Sequence, residues 1–347
     1  MIVIANDCNN SAVWGALKLH IKFLKSCNKD VTLLVPNRYY KYIEDENLEC
    51  KVVKYKSTLD EVLKLAKLED KEIFVPDMMG GLFSILAKLK GKKIYYWMQG
   101  AVPEESFMRN SSKLRLNVLS FIEKVALKLS DGYIFVSSYM KDYIEQKHKS
   151  KFEPSIIVPC VSDIKYNGAK KEKDSFVYIG GMSVWQRVDK MLLLFKEIKE
   201  VKRDAKFYIA TKEQQKAKEL IEKYIPKEMQ SSIILTSFSK RDEIEQFLST
   251  KEYGFLIRDD SVVNYVSSPI KLAEYLACGV NVIISNSVKS YAPLVEEYNA
   301  GVVVDSKNNT IDISKLNANI SNAKKLYFDI FSAYNHIKSY NMLLERL

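Results

Sequence analysis

The sequence predicts an α/β protein made of two doubly wound parallel sheets, and three observations carry that expectation. Short apolar runs of strand length recur along the whole chain, each followed by an amphipathic stretch. They fall into two series separated by a polar segment. The 347 residues also suffice for two domains of about 150 to 190 residues, each with its own core. In the first series, strands are expected near residues 1–5, 31–35, 72–75, 93–97 and 132–136, with helices such as 12–24 and 114–129 after them. Ile156-Ile157-Val158 leads into Pro159-Cys160-Val161-Ser162-Asp163 and the polar run 167–174, which is taken as the link between domains. The second series comprises 176–179, 207–210, 233–236, 254–257, 280–284 and 302–304. This alternation is the rhythm of a parallel sheet covered by helices on both faces. The expected domains are 1–165 and 166–330, with a final helical stretch from about 321. No internal repeat or low-complexity tract interrupts the pattern.

Composition narrows the class. A hydrophobic content of 47% with charged residues at 28% describes a folded protein rather than a disordered one. None of the apolar runs approaches the roughly 18 to 20 residues of a membrane span. Met1-Ile2-Val3-Ile4-Ala5 reads as a strand, because neither a basic head nor a cleavage site accompanies it. The five cysteines (8, 27, 50, 160 and 278) are scattered without metal-ligand spacing and read as reduced thiols in a cytoplasmic protein. The formal charge of +10 is spread over both halves. Such a field favours anionic substrates or the inner face of a membrane; no nucleic-acid-binding module is recognisable.

The most informative segment is Ser267-Ser268-Pro269-Ile270-Lys271-Leu272-Ala273-Glu274-Tyr275-Leu276-Ala277-Cys278-Gly279, followed by an apolar strand. Ser268 can cap a helix, Pro269 suits its first turn, and Gly279 can end it. Amides at such a helix start favour an anion, and Lys271 and Glu274 share one face beside the same mouth. The alternative is a capped surface helix with an ordinary Lys-Glu pair. The segment resembles the donor-binding signature of the group 1 glycosyl transferases, retaining enzymes of the GT-B fold. That resemblance implies two Rossmann-like domains facing across a cleft, the N-terminal one on the acceptor side and the C-terminal one binding a nucleotide sugar, with the helix 331–347 packing back across the link. It also implies that Glu274 holds the ribose hydroxyls, while Ser267, Ser268, Pro269, Ile270 and the following amides cradle the diphosphate.

Two further stretches belong to the same resemblance. Gly180-Gly181-Met182-Ser183-Val184-Trp185-Gln186-Arg187 follows the first strand of the second series. Its glycines admit a bulky anion close to the backbone. Where relatives commonly carry an arginine and a lysine on the diphosphate, this chain has Gly181 and Gln186, in the manner of a Trp-Gln branch of the family. The missing charge falls to Arg187, Lys190, Arg258 or Lys271, and the sequence does not choose among them. Arg258 is the leading candidate because a guanidinium matches phosphate oxygens in a fork; a loop arginine paired with Asp259 or Asp260 is the alternative. Val266 stands where many relatives place a glutamate that meets the donor sugar. In the first half, Gln99-Gly100 replaces the His-Gly of relatives; Gln99 can hydrogen-bond a hydroxyl but cannot act as a base. Glu104 or Glu105 can accept a proton from the acceptor alcohol or begin the next helix. Asp7, Asn10 and Ser11 can line the acceptor side or form a helix cap. His20, His148 and His336 share no metal spacing, and no Asp-x-Asp arrangement occurs in the required setting, so no essential metal is expected.

The expected activity is therefore transfer of a sugar from a nucleotide-diphosphate donor, UDP being the commonest among relatives, to a hydroxyl of a glycan or lipid-linked acceptor in surface polysaccharide synthesis. No cofactor is needed, since the nucleotide sugar is a substrate. The expected location is the cytoplasm or the inner membrane face. The stretch 113–128 mixes Lys113, Arg115, Lys124 and Lys128 with large apolar residues and could lie on an anionic bilayer, although its apolar count favours core packing. A catalytically silent accessory subunit, a nucleotide-sugar epimerase of similar fold and a basic nucleic-acid binder are the rival readings.

Overall fold

The computed structural model describes residues 1–46, 48–162 and 164–346, with Ser11 and Ala12 by their backbone alone. Two units emerge, one of Met1–Pro159 with Ala333–Leu347 and the other of Cys160–Ser332. The chain passes from one to the other at Pro159 and again at Ser332, not along 167–174.

The first unit is built on a parallel seven-stranded sheet of β1 (Ile2–Ile4), β2 (Thr32–Pro36), β3 (Lys51–Tyr55), β4 (Glu72–Val75), β5 (Lys93–Met98), β6 (Gly132–Phe135) and β7 (Ser155–Ile157), in the order β3-β2-β1-β4-β5-β6-β7. The five inner strands carry unbroken apolar runs because both of their faces are covered. The two edges escaped the sequence reading for the opposite reason. Lys-Val-Val-Lys-Tyr in β3 is largely exposed, and β7 is only three residues long. Charge and brevity are how sheet edges avoid pairing with other chains. Helices α1 (Ser11–Ser26), α2 (Thr58–Lys67), α3 (Met78–Phe83), α4 (Val102–Asn110), α5 (Lys113–Leu129) and α6 (Ser138–His148) fill the connections.

The second unit repeats the plan with β8 (Glu172–Ile179), β9 (Lys206–Ala210), β10 (Ile233–Thr236), β11 (Lys251–Leu256), β12 (Asn281–Ser285) and β13 (Gly301–Val304), all parallel, in the order β10-β9-β8-β11-β12-β13. Its main helices are α7 (Val188–Val201), α8 (Gln214–Tyr224), α9 (Arg241–Ser249), α10 (Ile270–Ala277), α11 (Ala292–Glu297) and α12 (Ile320–Leu326). Phe176, Phe195, Phe207 and Phe255 form a continuous aromatic core, with successive ring centroids 5.0 to 5.9 Å apart. In each sheet the winding reverses beside the first strand, between β1 and β4 and between β8 and β11. A crevice outside the carboxyl ends of such a strand pair is where ligands of doubly wound sheets bind.

The polar run expected to link the domains is instead part of the second unit. Asn167 N–H donates to Ser249 Oγ at 3.3 Å, Lys171 Nζ donates to Cys278 O at 2.7 Å, and Glu172 already begins β8. These polar groups close two helix ends and lead into an inner strand, which explains their composition without a linker. The final helical stretch is likewise divided. Residues through Phe331 stay with the second unit, where Tyr327 OH donates to Ser162 O at 2.8 Å. Ser332 is extended, and α13 (Ala333–Glu345) packs on α1 of the first unit. There His20 bonds the Tyr340 hydroxyl and lies 3.8 Å from the Trp97 ring, with Phe23 against His336.

Burial, and then the neighbouring His336, pushes the His20 pKa down to about 3. Below the ordinary histidine pKa of about 6.5 the unfolded chain takes up this proton and the folded chain does not. Stability is therefore expected to fall as pH drops below about 6.5, by up to about 1.4 kcal/mol per pH unit from this group. His20→Leu should flatten that part of a melting-temperature profile, and an unchanged profile would refute the assignment.

Candidate functional site

Gly180 follows β8 at the reversal point of the second sheet. Its φ of +150° lies outside the ordinary range of L-residues, and a Cβ there would sit 2.8 Å from both Cε and Nζ of Lys271. A backbone without side chains thus passes directly beneath an ammonium group. Tyr178 OH donates to Gly181 O at 2.7 Å and holds the turn. Across the reversal, Arg258 continues from β11. Its N–H donates to Ser285 Oγ at 2.9 Å, and Ser287 Oγ donates to its carbonyl at 3.1 Å.

Both cations converge on Gln186, which lies in the short turn Val184–Gln186. Arg258 Nη1 donates to Gln186 Oε1 at 2.9 Å and Lys271 Nζ to the same oxygen at 2.7 Å. Arg258 is buried, and its other acceptors are the carbonyls of Trp185 and Ile257. Neither cation forms an ion pair among the described residues. Burial, and then the Arg258 charge, pushes the Lys271 pKa down to about 7. Burial also lowers that of Arg258. A neutral amide oxygen shared by two buried cations leaves positive potential uncompensated, and an anion is the ligand that would relieve it.

The structure separates the four cations among which the sequence could not choose. Arg187, at φ +50°, donates through Nε and Nη2 to Asp189 at 2.9 and 2.7 Å and pairs with Asp259 through Nη1. Lys190 joins Asp259 at 3.1 Å. Both are neutralised by carboxylates, whereas Arg258 and Lys271 are not. Trp185 is 49% exposed, so it is not packed beneath the turn.

Helix α10 starts without the expected cap. Ser268 Oγ accepts the N–H of Cys160 at 2.9 Å, and Ser267 Oγ donates to Asn264 O at 2.8 Å. Pro269 occupies the capping position with an extended ψ of 122° and makes no side-chain cap bond. The serine hydroxyls are thus committed elsewhere, and the site side of the helix start offers the first-turn amides from Ile270 onward. Glu274 is 3.8 Å from Arg241 and sits one turn beyond Lys271. Tyr275 packs so tightly on β11 that a Cβ on Gly254 would lie 2.5 Å from its ring, and its hydroxyl accepts the N–H of Ile179 at 3.3 Å. Gly279, at φ +66°, closes the helix, with the N–H of Val280 donating to Tyr275 O at 2.8 Å. Val266 is fully buried. Next to the glycine turn is a pocket of about 410 Å³ lined by Ile179, Gly180, Thr211, Glu213, Phe238 and Ile244, among others. Glu213 fixes its rim by accepting the N–H of Met182 at 2.7 Å. Sequence reasoning missed Glu213 and Phe238, which have no motif around them.

The first unit has polar pockets at its own reversal point. One of about 400 Å³ is lined by Asp7, Asn10, Gln99, Glu105 and Arg109, with Gln99 Nε2 donating to Pro76 O at 2.9 Å. The side chain of Ser11 lies outside the described residues. Glu104 is held by Lys147 at 2.7 Å and by Tyr143 OH at 2.8 Å, an internal anchor rather than a group facing the pocket. Its neighbour Glu105 lines the pocket, and burial raises its pKa. A second pocket of about 530 Å³ contains Tyr55, Glu61 and Asp77. Burial and the Asp77 charge push Glu61 up to about 7, and among the described residues its Oε1 has no hydrogen-bond partner. Among the described residues no group of three or more His, Cys, Asp or Glu side chains is arranged to hold a metal.

The glycine turn and the helix start both lie at the reversal of strand order, the place where doubly wound sheets take their ligands. Residues 162–329 match the family model described as glycosyl transferases group 1. Solved structures of similar fold include HepE from Anabaena in complex with UDP-glucose, with a TM-score of 0.70 at 14% identity, covering 100% of this chain and 99% of that one. Sucrose-phosphate synthase from Thermosynechococcus elongatus has a TM-score of 0.70 at 11% identity, with the same coverage. The lipopolysaccharide outer core galactosyltransferase WaaB has 0.63 at 13%, covering 98% and 99%. The fold is GT-B. A search of curated protein sequences gives no match.

Because Lys271 titrates low in the folded protein, the unfolded chain binds the extra proton between about pH 7 and 10.4. Stability lost to this group is thus regained as pH rises through that window. Lys271→Met should raise the melting temperature most at and below about pH 7, by at most a few kcal/mol, with the gain shrinking toward pH 10. A gain independent of pH would refute the buried, uncompensated ammonium.

Proposed function

We propose that this glycosyltransferase binds a UDP-sugar in its second unit and transfers the sugar, with retention of anomeric configuration, to a hydroxyl of a glycan or lipid-linked acceptor in surface polysaccharide synthesis. The observation that carries the reading is the pair Arg258 and Lys271, both buried, both leaning on one neutral amide and neither matched by a carboxylate. A diphosphate supplies the charge they lack. HepE, a structural neighbour, has been solved with UDP and with UDP-glucose, which favours uridine as the base.

In this reading the nucleobase enters the pocket beside Phe238, Glu274 takes the ribose hydroxyls, and the Gly180 turn with the first amides of α10 meets the phosphates. Breaking the bond from the anomeric carbon to the diphosphate builds negative charge on the leaving oxygen. Arg258 and Lys271 stand ready to neutralise it, so little reorganisation is needed during the reaction. These two side chains take the part a divalent ion would otherwise play, and transfer is proposed to be metal-independent. Asp7, Asn10 and Gln99 in the first unit are proposed to hold the acceptor. Glu105 is better placed than Glu104 to take the acceptor proton, since Glu104 is already tied by Lys147.

Calorimetry with UDP, GDP and ADP tests the reading. UDP should bind most tightly. Near pH 8 its binding should be accompanied by proton uptake as the phosphates restore the Lys271 charge, visible as a dependence of heat on buffer ionisation enthalpy. Arg258→Ala should weaken UDP about 10- to 100-fold, as expected for a lost charge-assisted bond. Glu274→Gln should raise KM for the donor more than it lowers kcat, and transfer should persist in EDTA. Wild-type UDP affinity in both Arg258→Ala and Lys271→Met would overturn the proposal.

A further inference from the structure

The helix α5 presents an outward face that none of the described residues covers. Leu114, Val118 and Phe121 are 76%, 49% and 67% exposed. Their spacing of four and then three residues sets them in one line along the helix. Around that line stand Lys113, Arg115, Lys124 and Lys128, all exposed and none in an ion pair among the described residues. Apart from Asn117, every exposed residue of this helix is apolar or basic. Its one acid, Glu123, is on the opposite side, 1% exposed, bonded to Lys147 at 2.6 Å and to His148 at 2.8 Å.

The buried side explains why the outer residues are not core residues displaced by chance. Glu123, Ala126 and Leu127 anchor the helix inward. Ala126 meets α3 so closely that a Cβ on Gly81 would come within 2.8 Å of its own. The helix is therefore seated by one face, and no rotation could bury Leu114 and Phe121 without expelling Glu123 from its partners. Core packing, which the apolar count of the sequence favoured, accounts for only half of the helix. Met108, at the end of α4, is also exposed at 53%.

From this face we infer that the first unit docks on the surface of an anionic lipid bilayer, with α5 lying in the interfacial plane. Its occupant is assigned by charge complementarity. A protein partner for so basic a rim would need matching acids, whereas a bilayer with anionic headgroups offers both the negative potential and the apolar layer beneath it. Large apolar side chains dip below the headgroups while the flanking lysines and arginine stay among the phosphates. Docking involves none of the donor-site residues, so it stands or falls separately from the proposed transfer reaction.

Vesicle co-sedimentation tests it, using phosphatidylcholine alone and phosphatidylcholine with roughly a third phosphatidylglycerol, a charge density sufficient to attract basic segments. The protein should partition to the anionic vesicles at least about tenfold more strongly, and less so as salt rises. The double variant L114S/F121S should lose about tenfold or more of that partitioning, through lost apolar burial. K124Q/K128Q should lose a similar factor and much of the salt dependence. All four positions are exposed, so melting temperatures should match the wild type. A wild-type protein that stays in the supernatant with both vesicle types overturns the inference, as does unchanged partitioning of L114S/F121S. Sedimentation velocity supplies the remaining outcome. A wild-type dimer that L114S/F121S converts to monomer would assign the face to a second copy of the chain and overturn the membrane assignment.

Discussion

Two positive charges removed from water beside a side-chain-free turn set the terms for everything around them. Arg258 and Lys271 are close enough to repel each other and too buried to be hydrated, and among the described residues the single oxygen of Gln186 is their only common acceptor. Such an arrangement is costly in isolation. It persists because its supports are strong. β11 places Arg258 through the hydroxyls of Ser285 and Ser287, and α10 places Lys271 through the close packing of Tyr275 on Gly254. The glycines at 180 and 181 then leave open the space that an ordinary side chain would fill.

The same logic explains the departures from the usual family pattern. Where relatives bring a separate arginine and lysine, this chain has Gly181 and Gln186. Gln186 does not replace a charge but organises two charges supplied from other strands and helices. Arg187 and Lys190, closer in sequence to where a cation is expected, are instead consumed by Asp189 and Asp259. Their role is to lock the start of α7. The positive potential at the glycine turn is therefore supplied by residues that lie far apart in the sequence.

The first unit shows a different economy of polar groups. Glu123 and Glu104 are both bound by Lys147, a network that joins α4, α5 and α6. That network seats α5 and turns its apolar, basic side outward. The pocket-lining acids Glu61 and Asp77 share one pocket, and burial raises both pKa values, that of Glu61 to about 7.

Much of the architecture was legible in the sequence because it depends on local pattern. Inner strands of a parallel sheet must be apolar on both faces, so β1, β2, β4 to β6, β8, β9, β11 and β12 are visible as continuous runs; the edge strands β10 and β13 are short but apolar, and are visible too. The Ser-Pro start and Gly279 stop of α10 are visible because proline and glycine act through their own backbone geometry. The exposed edge strand β3, the division of the last helix at Ser332 and the true passage between units were not legible. Their residues are polar or charged for reasons that lie in distant partners. The separation of Arg258 and Lys271 from Arg187 and Lys190 belongs to tertiary structure. The linear reading leads with Arg258 for its guanidinium but leaves all four open, and only the folded positions of Asp189, Asp259 and Gln186 decide which charges are cancelled and which are left to attract a ligand.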